Sequence, residues 1–284
     1  MANIGKVLST ASAIAIASMA FSTTSRAADE PPKFGYSITV TALTDYLFRG
    51  ISLTNNKPEL NPYIELTYGI GYLGFWISNV GDATQPDFAS LGPIEVDYYA
   101  GIRPSFLDIN WDFGALGYTF NSRLPGVALG DVSYVEFQAK ASKEVVKSLT
   151  LGVSGFITPD QGPNYPFTFT VEGAAAYALP KIGIFNPTLS GLIGFTRFEN
   201  NGTFNTDVNP ENPNIVPVSP FVGARDYYYW NAGIKLNVDR WFMDFRYADT
   251  DIRSDFVGAT TGRRAEAFAD SRFLFSAGFT FSGP

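Results

Sequence analysis

Residues 36–49 read YSITVTALTDYLFR. Tyr36, Ile38, Val40, Ala42, Tyr46 and Phe48 share one face at period two, with Thr44 the polar member. Ser37, Thr39, Thr41, Asp45 and Arg49 take the other face, with Leu43 and Leu47 as exceptions. Period two is the signature of a strand, and two unlike faces mean two unlike surroundings. The Arg49-Gly50 pair and the polar Asn55-Asn56-Lys57-Pro58 stretch then lead into a second alternating run, which reads as a hairpin. The expected first strand is 35–49, with Tyr46 and Phe48 at an outer interface and Gly50 to Pro58 as the first external loop.

The pattern recurs along the chain. Further strands are expected near 59–69, 72–80, 93–103, 107–120, 131–141, 149–158, 166–178, 187–198, 226–238, 240–249 and 271–282. Ile94, Val96, Tyr98, Ala100 and Ile102 alternate with Glu95, Asp97, Tyr99 and Arg103. Phe273, Phe275, Ala277, Phe279 and Phe281 oppose Arg272, Ser276 and Thr280. The connections alternate as well. Gly69-Ile70-Gly71, Arg103-Pro104-Ser105 and Asn237-Val238-Asp239-Arg240 are tight, whereas 82–92, 121–130, 199–225 and 249–270 are long. The stretches 141–148 and 179–186 blur that contrast. Short turns at one end and long loops at the other describe a transmembrane up-and-down antiparallel β-barrel of about twelve strands.

Composition agrees with an all-β chain. The 284 residues are 45% hydrophobic and 15% aromatic, with 27 Gly and 17% charged residues. Aromatics favour strands and Gly punctuates turns. A net charge of −7 argues against nucleic acid as a partner, because phosphate binding needs a basic face. No Cys is present, so no disulfide forms. The start, MANIGKVLSTASAIAIASMAFSTTSRAADE, has Lys6, an apolar stretch from Val7 to Phe21, and small residues at Ser25 and Ala27. That is the pattern of a signal peptide over 1–27 cut after Ala27, which leaves 28–284 as the barrel and removes Lys6 and Arg26 to give −9. Beyond it no run of about 18 apolar residues suits a membrane helix.

A soluble β-sandwich or lipocalin-like barrel would show the same periodicity with the apolar faces turned inward. Three features favour the membrane. Twelve strands in unbroken order are many for a sandwich of this length. The polar face is rich in Ser, Thr, Asn and Gly in place of a Lys/Glu surface. Aromatics gather near strand ends, as interfacial girdles require: Tyr36, Tyr46, Phe48, Trp241, Tyr247, Phe279 and Phe281.

Asp45-Tyr46-Leu47-Phe48-Arg49-Gly50-Ile51-Ser52, then Lys57-Pro58, then Trp76-Ile77-Ser78-Asn79-Val80 resemble a proteobacterial family of outer-membrane porins often called TorF-like. Glu95-Val96-Asp97-Tyr98-Tyr99-Ala100-Gly101 is similar to the family's next segment. The likeness is specific over roughly residues 36–120 and architectural beyond it. It implies an outer-membrane β-barrel without supplying a substrate. The partners expected of such a chain are outer-membrane lipid, lipopolysaccharide, the barrel-assembly machinery and small hydrophilic solutes.

The registers turn nine acids inward: Asp45, Glu65, Glu95, Asp97, Asp108, Asp112, Glu136, Glu172 and Asp244. Six bases join them: Arg49, Arg103, Lys140, Lys235, Arg246 and Arg272. Such a lumen carries about −3 and mildly favours cations or neutral solutes. The same charges could instead pair across a narrow interior and plug it, since twelve strands fall between filled and open barrels. Glu95, Asp97, Asp108 and Asp112 are expected to gather on one wall, with Arg49 as candidate partner. An enzyme is disfavoured: the chain has no His to serve as base and no His or Cys set for zinc, so no cofactor is called for. A loop-borne role remains a third class. Asp207, Asn209, Glu211 and Asn212 are oxygen ligands for Ca²⁺ but lack the spacing of an EF-hand, and Asn201-Gly202-Thr203 fits a glycosylation sequon.

Overall fold

The computed structural model describes residues 33–81, 92–121, 133–161, 167–199, 226–252 and 266–283. The proposed signal peptide, the Asn/Pro-rich stretch with its calcium-type residues and the 201–203 sequon lie outside the described residues.

Twelve long strands follow one another: β1 (Phe34–Leu43), β2 (Glu59–Tyr68), β3 (Gly71–Asn79), β4 (Ile94–Ile102), β5 (Ile109–Phe120) and β6 (Tyr134–Val146). They continue as β7 (Leu149–Thr158), β8 (Thr168–Ala178), β9 (Asn186–Phe198), β10 (Tyr227–Val238), β11 (Trp241–Thr250) and β12 (Arg272–Gly283). Each pairs antiparallel with the next, and β12 returns to β1 with Tyr36 opposite Gly283 and Leu43 opposite Ser276. The sheet therefore closes into a barrel and leaves no edge to template further pairing. A four-residue helical turn, α1 (Glu266–Ala269), precedes β12.

Polarity settles which way the faces point. Leu60, Ile64, Ile77, Phe137, Val153, Ile193 and Phe245 are exposed, while their strand neighbours Asn61, Glu65, Ser78, Glu136, Ser154, Thr196 and Asp244 are buried. A soluble core would have the reverse arrangement. The apolar band faces outward and the polar residues face the lumen, as in outer-membrane barrels. Around the short-turn end, Trp241, Phe279 and Phe281 pack in series with centroids 5.2 and 5.4 Å apart, and the Arg240 guanidinium lies 4.9 Å from the Phe281 ring. This is the girdle expected at one interface.

Two expectations about connections change. The strand expected over 131–141 runs on to Val146, and the chain reverses at Lys147 and Ser148, the latter at φ 71°. The turn at that end is therefore short like its neighbours. More consequentially, β1 stops at Leu43 instead of 49. Beyond Thr44 the chain leaves the barrel wall and enters the lumen as a small hairpin, with Leu47 opposite Ser52 and Phe48 opposite Ile51. Its two turn residues, Arg49 and Gly50, both have positive φ (50° and 84°), as two-residue turns that match strand twist require. At Gly50 a side chain would also collide with Thr250. Tyr46 and Phe48, expected at the lipid interface, are instead buried inside the barrel.

Candidate lumenal site

The inward hairpin braces itself before it touches the wall. Asp45 accepts hydrogen bonds from the hydroxyls of Ser52 (2.6 Å) and Thr54 (2.8 Å). Backbone bonds run from Leu53 N to Tyr46 O (2.8 Å) and from Gly81 N to Leu53 O (2.8 Å). Its apolar side chains then dock onto a wall of rings. Tyr46 stands edge-on to Trp76 at 5.3 Å, and Phe48 edge-on to Tyr118 at 5.8 Å. Tyr63, Tyr72, Tyr99 and Tyr134 extend the same buried cluster across β2–β6. Glycines make room for these rings: any side chain at Gly101 or Gly114 would strike the Tyr72 hydroxyl.

Two charged anchors hold the hairpin. Arg49 donates to both carboxylate oxygens of Glu136 on β6 at 2.8 Å, and its guanidinium lies 4.7 Å from the Phe48 ring and 5.0 Å from the Phe156 ring. Glu136, 1% exposed, also accepts from Tyr118 (3.2 Å) and Thr158 (3.0 Å). At the outer rim Arg272 donates to Asp45 at 2.5 Å, to the Asp270 carbonyl at 3.0 Å, and to Asn56. The lumen's other charges form separate groups. Arg103 clasps Glu65 through two nitrogens (2.7 and 2.8 Å), reaches Asp112 at 3.0 Å, and lies 3.9 Å from the Tyr72 ring. Asp112 accepts from Tyr72 (2.8 Å) and Gln138 (3.1 Å). Arg246 donates to Asp244 (3.0 Å), Asn231 (2.7 Å) and Ser190 (2.9 Å). Glu172 accepts from Tyr229 at 2.6 Å.

Some expected groupings do not form. Asp108 faces no lumen: it sits exposed in the turn between Phe106 and Ile109 at φ 55°, because the β4–β5 connection reverses there. Nor do the four acids of β4 and β5 gather. Asp97 lies opposite Tyr118 near the long-loop end, while Asp112 is past Phe113, which pairs with Ile102 at the far end. Arg49 consequently pairs with Glu136, and not with them. Glu95 and Asp97 each keep one buried oxygen with no partner among the described residues, as does Glu59, an inward acid that strand periodicity had not singled out. Lys140 and Lys235 make no ion pair among the described residues. They lie 5.4 Å from the Phe156 ring and 4.1 Å from the Phe242 ring.

On one side of the lumen exposure changes with depth. Trp76, Asp97, Glu136, Ser154, Thr170 and Thr196, on the long-loop side, are all buried. Towards the short-turn end, Lys140, Ser142, Thr150, Gly152, Glu172 and Ala174 are only partly buried. On the other strands the short-turn side is closed as well, since Ser37, Glu65, Tyr72, Phe242 and Asp244 are buried there, so the open part of the lumen lies along β6–β8. The first 58 residues also contain the main signal that periodicity missed, since the Arg-Gly turn was the only local sign that the chain would leave the wall.

A family model described as "Bacterial protein of unknown function (Gcw_chp)" matches residues 26–209. No curated protein matches. Among solved structures, the NanC porin aligns with a TM-score of 0.52 at 8% identity, over 87% of this chain and 98% of that one. The KdgM porin aligns at 0.49 and 9% identity, over 86% and 99%. The NanC likeness is one of fold.

Proposed function

The chain belongs to the Gcw_chp family of bacterial proteins of unknown function, and from that premise we propose that it is an outer-membrane channel for passive diffusion of small hydrophilic solutes. The observation that carries this reading is a polar lumen, partly exposed along the short-turn half of β6–β8, inside a barrel whose outer face is apolar. The porin fold of NanC supports it at the level of architecture. The finer parts of the proposal are a leader cleaved after Ala27, the TorF-like resemblance of residues 36–120, and the lumen-facing charges as the lining that sorts solutes. Asp108 is left out of that lining. No step needs turnover chemistry, in keeping with a chain without histidine.

A second reading is favoured by the buried long-loop half: a barrel sealed by its own hairpin, with a structural or surface role. The two are separated by single-channel recording in planar bilayers on the wild type and on a variant lacking residues 46–53. Conductance that rises when the hairpin is removed supports a gated channel. A folded, heat-modifiable barrel that conducts in neither form sinks the channel reading and leaves the sealed one.

A further inference from the structure

The membrane-facing side of the barrel is not uniformly bulky. Across β8–β12 runs an apolar groove of about 770 Å³. Its floor is made by Ala175, Gly191 and Ala232, which are directly opposed on three adjacent strands. Two residues nearer the short turns, Tyr177, Leu189 and Ile234 form a continuous wall of larger side chains, again in direct register. Two residues the other way on β9 and β10, Ile193 stands opposite Trp230 on the same outward face. Along its own row the small floor ends at Leu151, opposite Ala175, and at Tyr247 and Phe273, whose rings meet edge to face at 5.4 Å.

These dimensions choose the occupant. Successive same-face rows on a strand are about 6.7 Å apart, so the floor is a single row wide, while three strands give it a length of about 14 Å with the wall continuing beyond. A slot of that shape takes one hydrocarbon chain and is too narrow for the convex face of another barrel. The lining offers no charge: the one charged residue bordering it, Arg246, points inward and is held by Asp244 and Asn231. The side already faces hydrocarbon, and an unfilled recess there forfeits dispersion contacts that a seated chain restores.

Position identifies the leaflet. Ala175 lies three residues from the end of β8 at the short turns, and Gly191 and Ala232 lie five and six residues from the short-turn ends of β9 and β10, so the floor sits in the short-turn half of the wall. A chain seated there belongs to the periplasmic leaflet, since short turns are periplasmic in such barrels. We propose that this groove is a binding site for one acyl chain of a glycerophospholipid from the inner leaflet of the outer membrane. The proposal rests on the membrane placement of the barrel and is independent of whether solutes pass through it.

The test is lipid retention by the full barrel, purified from outer membranes, exchanged into fresh detergent and examined by native mass spectrometry. The wild type keeps phospholipid. Ala175→Leu and Ala232→Leu, which raise the floor, lose it by roughly tenfold or more. Gly117→Leu is the control: it adds one carbon more than either floor variant on the outer face of β5, where nothing lies within 4 Å, and retention is unchanged. Equal retention by all four proteins, or none in the wild type, overturns the site. Lipopolysaccharide retained in place of phospholipid overturns the leaflet assignment. All variants are checked for heat-modifiable migration, so loss of folding is distinguished from loss of lipid. A wild-type chain that stays soluble without detergent would bring down the membrane reading itself.

Discussion

Two walls of the same barrel have been furnished in opposite ways. On β2–β6 the lumen is lined by Tyr63, Tyr72, Trp76, Tyr99, Tyr118 and Tyr134, and the hairpin of residues 47–52 packs against them. On the short-turn half of β7–β9 the lumen-facing positions include Thr150, Gly152, Ala174, Ala176 and Ser190, small and weakly polar, while Phe156, Leu192 and Phe198 fill the long-loop half. Backbone geometry is equivalent on the two sides, with regular antiparallel register throughout apart from a shift at Leu149. What differs is side-chain volume. The ring-lined wall behaves as a core and fixes the hairpin, whereas the small-residue wall leaves space for water. A single sheet thus supplies both a packed interior and a wet one.

That contrast can be broken most severely at Arg49. Arg49→Ala removes the cation from a carboxylate that is almost wholly buried, which costs about 3–5 kcal/mol when one partner of a buried pair is lost. The expected outcome is release of the hairpin, read as new chymotryptic cleavage after the now accessible Phe48 in folded barrels and as a large rise in conductance. Unchanged protection of Phe48 would mean that ring packing alone seats the hairpin. Gly50→Ala comes next: it places a Cβ at φ 84° and against Thr250, and such strain costs about 1–3 kcal/mol. The same cleavage assay should show partial release. Asp45→Asn is milder, since Asn56 and the Asp270 carbonyl still accept from Arg272, and losing the charged hydrogen bond costs about 1.5 kcal/mol. Ala176→Trp, nearer the short turns and outside the buried cluster of Leu192, Phe198, Tyr227 and Tyr229, sharpens the comparison from the other wall. Stability should move by no more than about 0.5 kcal/mol. In the background of the hairpin deletion, though, single-channel conductance should fall. No change there would place the water path elsewhere.

Much of this architecture was readable in the residue order. Alternation such as Ile94-Glu95-Val96-Asp97 located all twelve strands, because each is wetted by lipid on one face and by a polar lumen on the other. The same alternation misled at residues 44–49. Tyr46 and Phe48 keep the parity of Tyr36 and Ile38, and an apolar face is equally suited to lipid and to a ring-lined lumen. Arg is an uncommon residue at positive φ, so the Arg49-Gly50 turn carried little warning. The pairing of Arg49 with Glu136 spans 87 residues and depends on how deep the hairpin reaches, which no local pattern encodes. Asp108 failed for a simpler reason: it shares parity with Asp112, but the ladder ends just short of it. The lumenal tyrosines depart from the girdle placement that aromatic residues suggest. Yet Tyr99 and Tyr134 already sat on the charged face of their strands.

The seam between β1 and β12 joins positions 241 residues apart, as in the hydroxyl pair of Thr39 and Thr280. Arg272, the outer anchor of the hairpin, is the first residue of that last strand. Residues 44–54 therefore have no outer anchor until the final strand has docked, although they are among the earliest of the barrel to be synthesised. Contacts so distant in sequence form slowly. Zipping of the seam and seating of the hairpin are consequently one late event in assembly, and a chain stalled before its last strand would have a loose hairpin as well as an open barrel.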